Sequence, residues 1–436
     1  MSFLLVSGCA LLLVVTASIT VNDADSQQGK EMNTLKECRR ALSHSSIRQR
    51  KPRRNAIVTR QHSLMLPQEL IDEIIEYLQY DKPTLKACAL THRMFLPRAR
   101  RYLFRTLFVR KYGPDPYKLR TCPDISKNFR EVIIRGKLCS EVKHCSSFIN
   151  YDLVETLRLE GSHNDWTQIE WSLQQSDLPA FPALKNLSLH RVYFSSFKEM
   201  ISTLRSYSQL DTLSLDFGDS KSTFACPAEL GDYELLLPIQ SLHMHFDMTV
   251  PPGSVPNVLL SSAGDNLRHL SLNITSTTPH KTALAMMNHV DLSKNASLES
   301  LELRFQWYTS RPPWVARRND LPYIHLLLSK IHSSSLHSIT FHLDFVQSEM
   351  NHPRWLNSID LQFLDHLVHP DSLDLKGKEL ERARAVSKNL KKITLILGFP
   401  KLLGSQASSQ IVNQVKAQLP SLESRGMLRI MDASQC

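Results

Sequence analysis

Leu184-Lys185-Asn186-Leu187-Ser188-Leu189-His190 decides how this chain folds. Its apolar residues fall at 184, 187 and 189, and Leu187 and Leu189 alternate with polar neighbours, the period of a strand buried on one face. The same spelling returns at Leu210-x-x-Leu213-x-Leu215, Ile239-x-x-Leu242-x-Met244, Leu267-x-x-Leu270-x-Leu272, Leu298-x-x-Leu301-x-Leu303, Leu336-x-x-Ile339-x-Phe341 and Leu390-x-x-Ile393-x-Leu395. A further copy, Leu153-x-x-x-Leu157-x-Leu159, precedes them with one extra residue. Helical spacing fills the intervals Phe197–Tyr207, Lys281–Val290, Tyr323–Ile331 and Gln410–Leu419. The unit is therefore a strand followed by a helix, and the fold class is α/β.

The central residues of successive copies are 30, 26, 29, 28, 31, 38 and 54 apart. That period resembles leucine-rich repeats, which loosen here toward the C-terminus. One strand and one helix cannot bury their apolar faces alone, so the resemblance implies a solenoid of stacked units over 128–436. The asparagine that usually follows the last leucine by three residues is replaced by Ser162, Val192, Gly218, Thr275 and Gln306. Strand alternation sends a continuous set of polar residues outward, and Asn186, His190, Asp216, His243, His245, His269, Glu302 and Arg304 are the candidates for holding a target protein. A half-solvated sheet face is polar in any protein, so its length is what favours a binding surface.

Upstream, Leu66-Pro67-Gln68-Glu69-Leu70-Ile71-Asp72-Glu73-Ile74-Ile75-Glu76-Tyr77-Leu78 is amphipathic, with apolar residues at 70, 71, 74, 75 and 78 and acids opposite. Pro67 suits a helix start. A second helix is expected from Pro83 to about Phe95 with Asp81 as its cap, and Pro97 opens a third. Three short helices in so few residues leave a wide apolar face, the mark of a module that borrows a partner's core. This stretch, together with Arg93-x-Phe95-x-Pro97 and Leu103-Phe104, resembles the F-box of a large fungal family of F-box proteins. The resemblance departs from the family at Thr91-His92, where a Cys-containing pair is common, and at Phe95, where Trp is common.

The resemblance implies that Leu66 and Pro67 enter a Skp-type adaptor, with Leu70, Ile71, Ile74, Leu78, Leu85 and Leu90 packing at or behind that interface. Through the adaptor the chain would join a cullin in an SCF-type ubiquitin ligase, as its non-catalytic substrate-recognition subunit. The expected organisation is an apolar segment at 1–21, a basic linker at 22–63, an F-box at 64–110, a linker at 111–127 and the repeat domain at 128–436.

Phe3–Val21 holds 19 residues without a charge. It reads as a secretory signal, as an uncleaved anchor leaving the rest cytosolic, or as a mispredicted start, so a membrane partner enters only through residues 3–21. The formal charge is +10, of which residues 22–63 supply +6, with ten Lys or Arg against four acids. The folded remainder is too weakly basic to point to nucleic acid. Eight cysteines form no Cys-x-x-Cys pair and read as scattered thiols.

No nucleophile elbow, zinc-protease helix or phosphate loop is spelled anywhere, so no catalytic residue and no cofactor is expected. His243, His245 and His269 share a face, but without a nearby carboxylate or thiol they read as structural, and no metal is expected. A cytoplasmic or nuclear location goes with the F-box reading. The rival reading is a secreted or luminal repeat protein that binds a ligand, for which Asn186, Asn273 and Asn295 begin glycosylation sequons.

Overall fold

The computed structural model describes residues 66–110, 123–135, 150–161, 180–190, 197–216, 237–247, 255–276, 290–307, 330–345, 378–398 and 405–433, with a few single positions between them. The apolar segment 3–21, the basic linker 22–63 and most of the expected helices at 281–290 and 323–331 lie outside the described residues. Among the described residues no helix is long and apolar enough to cross a membrane. By contacts the chain divides at Arg105 and Thr106 into two units.

Among its described residues the first unit holds three helices, α1 (Gln68–Tyr77), α2 (Lys82–Thr91) and α3 (Leu96–Leu103). Asp81 caps α2 as expected, accepting from the Thr84 N–H at 3.1 Å and from its hydroxyl at 2.5 Å. Helix α2 stops at Thr91, four residues short of the expected end, because His92 is extended (φ −150°, ψ 139°) and its Nδ1 accepts the Met94 N–H at 3.2 Å. Ile71 and Ile75 of α1, Leu85 and Cys88 of α2 and Ala99 of α3 close a small core. Arg98 joins α3 to α1 through Glu76 at 2.9 Å and lies 5.6 Å over the Tyr102 ring.

Among its described residues the second unit holds one parallel sheet of eleven strands whose spatial order is the chain order. They are β1 (Thr106–Arg110), β2 (Glu131–Arg135), β3 (Thr156–Glu160), β4 (Asn186–His190), β5 (Thr212–Asp216), β6 (Ser241–Asp247), β7 (His269–Ser276), β8 (Ser300–Trp307), β9 (Ser338–Phe345), β10 (Lys392–Gly398) and β11 (Leu428–Asp432). The described connections hold α4 (Pro123–Ser126), α5 (Phe197–Arg205), α6 (Val255–Ala263), α7 (Lys378–Asn389), α8 (Ser405–Gln418) and α9 (Pro420–Ser424). Every strand spelled by the repeated motif is present, and β1, β2 and β11 are additional.

The sheet begins earlier than expected. Thr106–Arg110 falls inside the interval 64–110, yet it pairs in parallel with Glu131–Arg135, so the boundary of the helical module moves to Arg105. The first copy of the motif is also respelled. Val154 is fully buried and takes the place held by Leu184 in the next copy, while Leu153 is only half-buried, so no extra residue is needed.

Register is the same across the sheet. Leu157, Leu187, Leu213, Leu242, Leu270, Leu301 and Ile339 are paired neighbours in one buried row, and Leu159, Leu189, Leu215, Met244, Leu272, Leu303 and Phe341 form the next. At each junction from β3 to β10, one main-chain carbonyl of the preceding copy accepts two N–H groups. The Glu155 carbonyl accepts from Lys185 and Asn186 at 2.9 Å each, and the Arg268 carbonyl accepts from Glu299 at 2.7 Å and Ser300 at 3.0 Å. A slip by one residue would break this pairing and turn both leucine rows to the wrong face.

The residue five places before each strand links neighbouring copies in two chemistries. Before β3, β4 and β5 it is aromatic: Tyr151 meets Phe181 edge-on at 4.9 Å, and Phe181 lies 6.3 Å from Tyr207. Burial pushes the Tyr207 hydroxyl up to about 12. Before β7, β8 and β9 the same place holds Gly264, Asn295 and Ser333. Asn295 is buried and donates from Nδ2 to the Leu260 and Gly264 carbonyls, both at 2.9 Å, closing the end of α6. Ser333 donates to the Ala296 and Leu298 carbonyls at 2.8 and 2.6 Å. Gly264 has φ 49°, a left-handed conformation that glycine adopts without strain.

Replacing Asn295 with Ala removes a side chain that satisfies two main-chain acceptors. The expected cost is about 1–3 kcal/mol, against a few tenths of a kcal/mol for an exposed polar residue such as Lys185. Chemical denaturation of the two variants checks this, and equal stabilities would contradict it.

Candidate functional site

Two surfaces stand out, one in each unit. On the helical unit, the expected adaptor-binding residues separate into an outer and an inner set. Leu66, Pro67, Leu70, Ile74 and Leu90 are exposed, with Leu90 at 87%. Ile71 and Leu85 are buried in the small core, and Leu78 packs against it. Ile71 and Leu85 therefore support a surface from behind, while Leu78 keeps part of its side chain at the surface. The geometry follows from the helix period: Leu70, Ile74 and Tyr77 recur at three- and four-residue steps and share a stripe of α1, whereas Ile71 and Ile75 lie about 100° round, and Leu66 precedes the helix at the Pro67 cap. Tyr77 and Tyr80 are also almost fully exposed, 89% and 88%, and were not singled out from the sequence. Their signal was present, since Tyr77 continues the spacing of Leu70 and Ile74.

The second surface is the polar face of the sheet. The rows of the pairing register place Asn186 beside Thr212, then Ser241, His269, Ser300 and Ser338. The row through the strand centres runs Ser188, Ser214, His243, Ser271, Glu302 and Thr340. The third runs His190, Asp216, His245, Asn273, Arg304 and His342. All eight expected target-binding residues lie on this one face.

Its charged groups are linked across strands. Asp216 is gripped from both sides, by His190 Nδ1 on one carboxylate oxygen and by His245 Nδ1 on the other at 2.9 Å. Glu302 reaches diagonally to His342 Nε2 at 2.9 Å. His243 Nε2 lies 3.1 Å from the Ser241 hydroxyl, and His269 Nδ1 lies 2.8 Å from the Ser300 hydroxyl. Toward the start of the sheet, Arg158 pairs with Glu131 at 3.1 Å and Arg135 pairs with Glu160.

These contacts set the acidities. Burial pushes the Asp216 carboxyl up, but the hydrogen bonds and charge of His190 and His245 outweigh it and hold the group well below the usual carboxylate range. The hydrogen bond from His342 holds Glu302 below its usual value against partial burial. Burial holds His243 low, against the pull of Glu302. Among the described residues, no group of three or more His, Cys, Asp or Glu is arranged to hold a metal ion.

Apolar residues enter this face on the outer strands: Phe108 of β1 is exposed on it, Ile133 of β2 is buried there, and on β10 Ile396 is buried beside the buried Thr394. This explains why β1 and β2 were missed. The central outward residue of each is apolar, so Leu107-Phe108-Val109 and Val132-Ile133-Ile134 do not alternate. Phe129-x-x-Val132-x-Ile134 nevertheless matches the motif, with Phe129 buried where the other copies have leucine.

The three sequons lie on ordered structure. Asn295 is buried with its amide nitrogen engaged, Asn186 donates to the Thr156 hydroxyl at 3.2 Å, and Asn273 stands in mid-strand. An N-glycan on Asn295 is incompatible with this fold.

Two measurements test these assignments. Ile75→Ala should destabilise the helical unit by about 2–5 kcal/mol, whereas Leu70→Ala or Leu90→Ala should change it by about 0.5 kcal/mol or less. Similar losses at Ile75 and Leu70 in denaturant titrations would contradict the division into core and surface. Asp216→Asn should lower stability at neutral pH. Because the folded carboxyl is depressed, its contribution is present above the unfolded value near 3.9 and is lost as pH falls through the folded value. The difference from the parent chain should therefore shrink in strong acid, and a difference that grew there would contradict the cross-strand grip. No protein-family model matches the chain, and no curated protein is significantly similar to it.

Proposed function

We propose that the chain is the substrate-recognition subunit of an SCF-type ubiquitin ligase: an F-box that docks on a Skp-type adaptor, and through it on a cullin, followed by a leucine-rich-repeat-like solenoid that holds a target protein. The observation that carries this reading is the set of large aliphatic residues Leu66, Leu70 and Ile74, with Leu90 on α2, left exposed beside a small core formed by Ile71, Ile75, Leu85, Cys88 and Ala99. A unit this small that exposes several large aliphatic side chains gains from a partner that covers them, at roughly 25 cal/mol per Å² buried.

The repeat domain supplies the other half. A sheet in strict chain order supports a stacked-unit architecture, in which each copy completes the core of the next. Its polar face is then the long surface on which a target would rest, and Asn186, His190, Asp216, His243, His245, His269, Glu302 and Arg304 are the residues proposed to meet it. The chain itself does no chemistry in this scheme. It holds a target's lysine near a charged ubiquitin-conjugating enzyme, and proximity accelerates the transfer. The location that goes with it is cytoplasmic or nuclear.

The test is co-elution of the purified full chain with a Skp adaptor. Complex formation is expected, and Leu66→Ala with Pro67→Ala should abolish it while leaving the helix content unchanged. Leu70→Asp, a surface change outside the filled core, should do the same. Retained binding by both variants would overturn the docking reading.

A further inference from the structure

The two ends of the sheet differ. At β1 the two buried rows begin with Leu107 and Val109, 5% and 9% exposed, so the core is closed there. At β11 the same rows end with Leu428 and Ile430, which pair with the fully buried Ile393 and Leu395 but are themselves only half-buried. Met431, paired with the buried Ile396 on the other face, is half-buried as well. Among the described residues β11 pairs with β10 alone. The Ile393 N–H donates to the Met427 carbonyl at 2.9 Å, so this pairing uses the main-chain groups of Met427, Arg429 and Met431. Those of Leu428 and Ile430 point away from β10, toward the outer edge. Natural edges block a further strand with proline, a bulge or an inward-pointing charge, and terminal repeats carry a polar outer side. From Leu428 to Met431 the strand has none of these, and its one charge, Arg429, is exposed on the polar face.

We propose that the outer edge of β11 takes an extended polypeptide segment, alternately apolar and acidic, as a twelfth strand. Its main chain pairs with the N–H and carbonyl groups of Leu428 and Ile430, the groups that a strand added to a sheet edge uses. Its apolar side chains lie beside Leu428 and Ile430 and finish the two rows, and the period of two turns the residues between them to the face of Arg429. Charge selects acids for those places. On β10, β11 and the residues leading into them, Lys391, Lys392, Arg425 and Arg429 are exposed. The acids there are Glu423, paired with Lys416 at 3.0 Å, and Asp432, which is half-buried and on the opposite face from Arg429. A second β11 paired antiparallel about Ile430 would instead bring two Arg429 side chains onto one face, where like charges repel. The proposal goes beyond the reading above, which rests a target on the polar face, and it needs neither that contact nor adaptor docking.

The experiment uses the full chain at neutral pH and a fluorescein-labelled peptide of about eight residues, alternately glutamate and valine, whose carboxylates are ionised there. Fluorescence anisotropy should show saturable binding, at least about tenfold tighter than for the peptide that alternates lysine and valine. Arg429→Glu, a change at an exposed side chain, should reverse that preference. Ile430→Pro removes an N–H that faces the outer edge and no ladder bond to β10, and it should abolish binding of both peptides. Circular dichroism verifies that this variant keeps its sheet, and if it does not, Arg429→Glu decides alone. No binding by the parent chain, equal affinity for the two peptides, or a preference that Arg429→Glu leaves unchanged would overturn the proposal. Binding retained by folded Ile430→Pro would do the same. A parent chain that sediments as a dimer, and that Ile430→Pro renders monomeric, would assign the edge to a second copy and overturn the choice of occupant. Failure of the adaptor to co-elute leaves all these outcomes unaffected, so the two readings fail separately.

Discussion

A single main-chain carbonyl, used twice, holds the repeat domain in order. At each junction from β3 to β10 it accepts the N–H groups of the last residue before the next strand and of that strand's first residue. Both lone pairs of the oxygen are thereby engaged, and the two copies are fixed at one relative height. From there the parallel register follows, and from the register follow the two unbroken leucine rows and the three unbroken polar rows. The side chains five places before each strand reinforce the same alignment, by aromatic contact where the copies begin and by amide and hydroxyl hydrogen bonds later. The strength of the arrangement lies in repetition, since each bond is worth only about 1 kcal/mol net.

Alignment is also what gives the polar face its chemistry. His190, Asp216 and His245 are 26 and 29 residues apart in successive steps, and nothing local brings them together. They meet because each is the last residue of the five that the common register matches. The same holds for Glu302 and His342, which meet on the diagonal. In the helical unit the governing constraint is different. Three short helices enclose one small core, and the period of α1 sends Ile71 and Ile75 into it while Leu70 and Ile74 turn outward. One sequence stretch thus stabilises its own fold and presents the face proposed to dock.

Much of this was legible in the residues. Alternation in Leu184–His190 and its copies identified strands β3–β10 and the outward set, because a sheet buried on one face must alternate. The α1 helix and the Asp81 cap were equally plain. The parts that escaped had physical reasons. Strands β1 and β2 carry apolar residues on both faces, so their period was hidden. Val154 was passed over because leucine occupies the adjacent position. The end of α2 depended on a histidine ring closing a turn, which no period encodes. The division of the adaptor candidates into core and surface needed the packing of α2 and α3 against α1. The grip on Asp216 required the register itself, which a list of outward residues does not contain.

The most direct test of the account is hydrogen–deuterium exchange on the full chain, alone and with a Skp adaptor added. The account predicts slow exchange at the doubly accepted junction amides, such as Lys185, Asn186, Glu299 and Ser300, in both samples. It predicts that the adaptor slows exchange in residues 66–78 and leaves the sheet unchanged. Fast exchange at the junction amides would contradict the fold described, and an adaptor that left residues 66–78 unprotected would contradict the docking proposed for them.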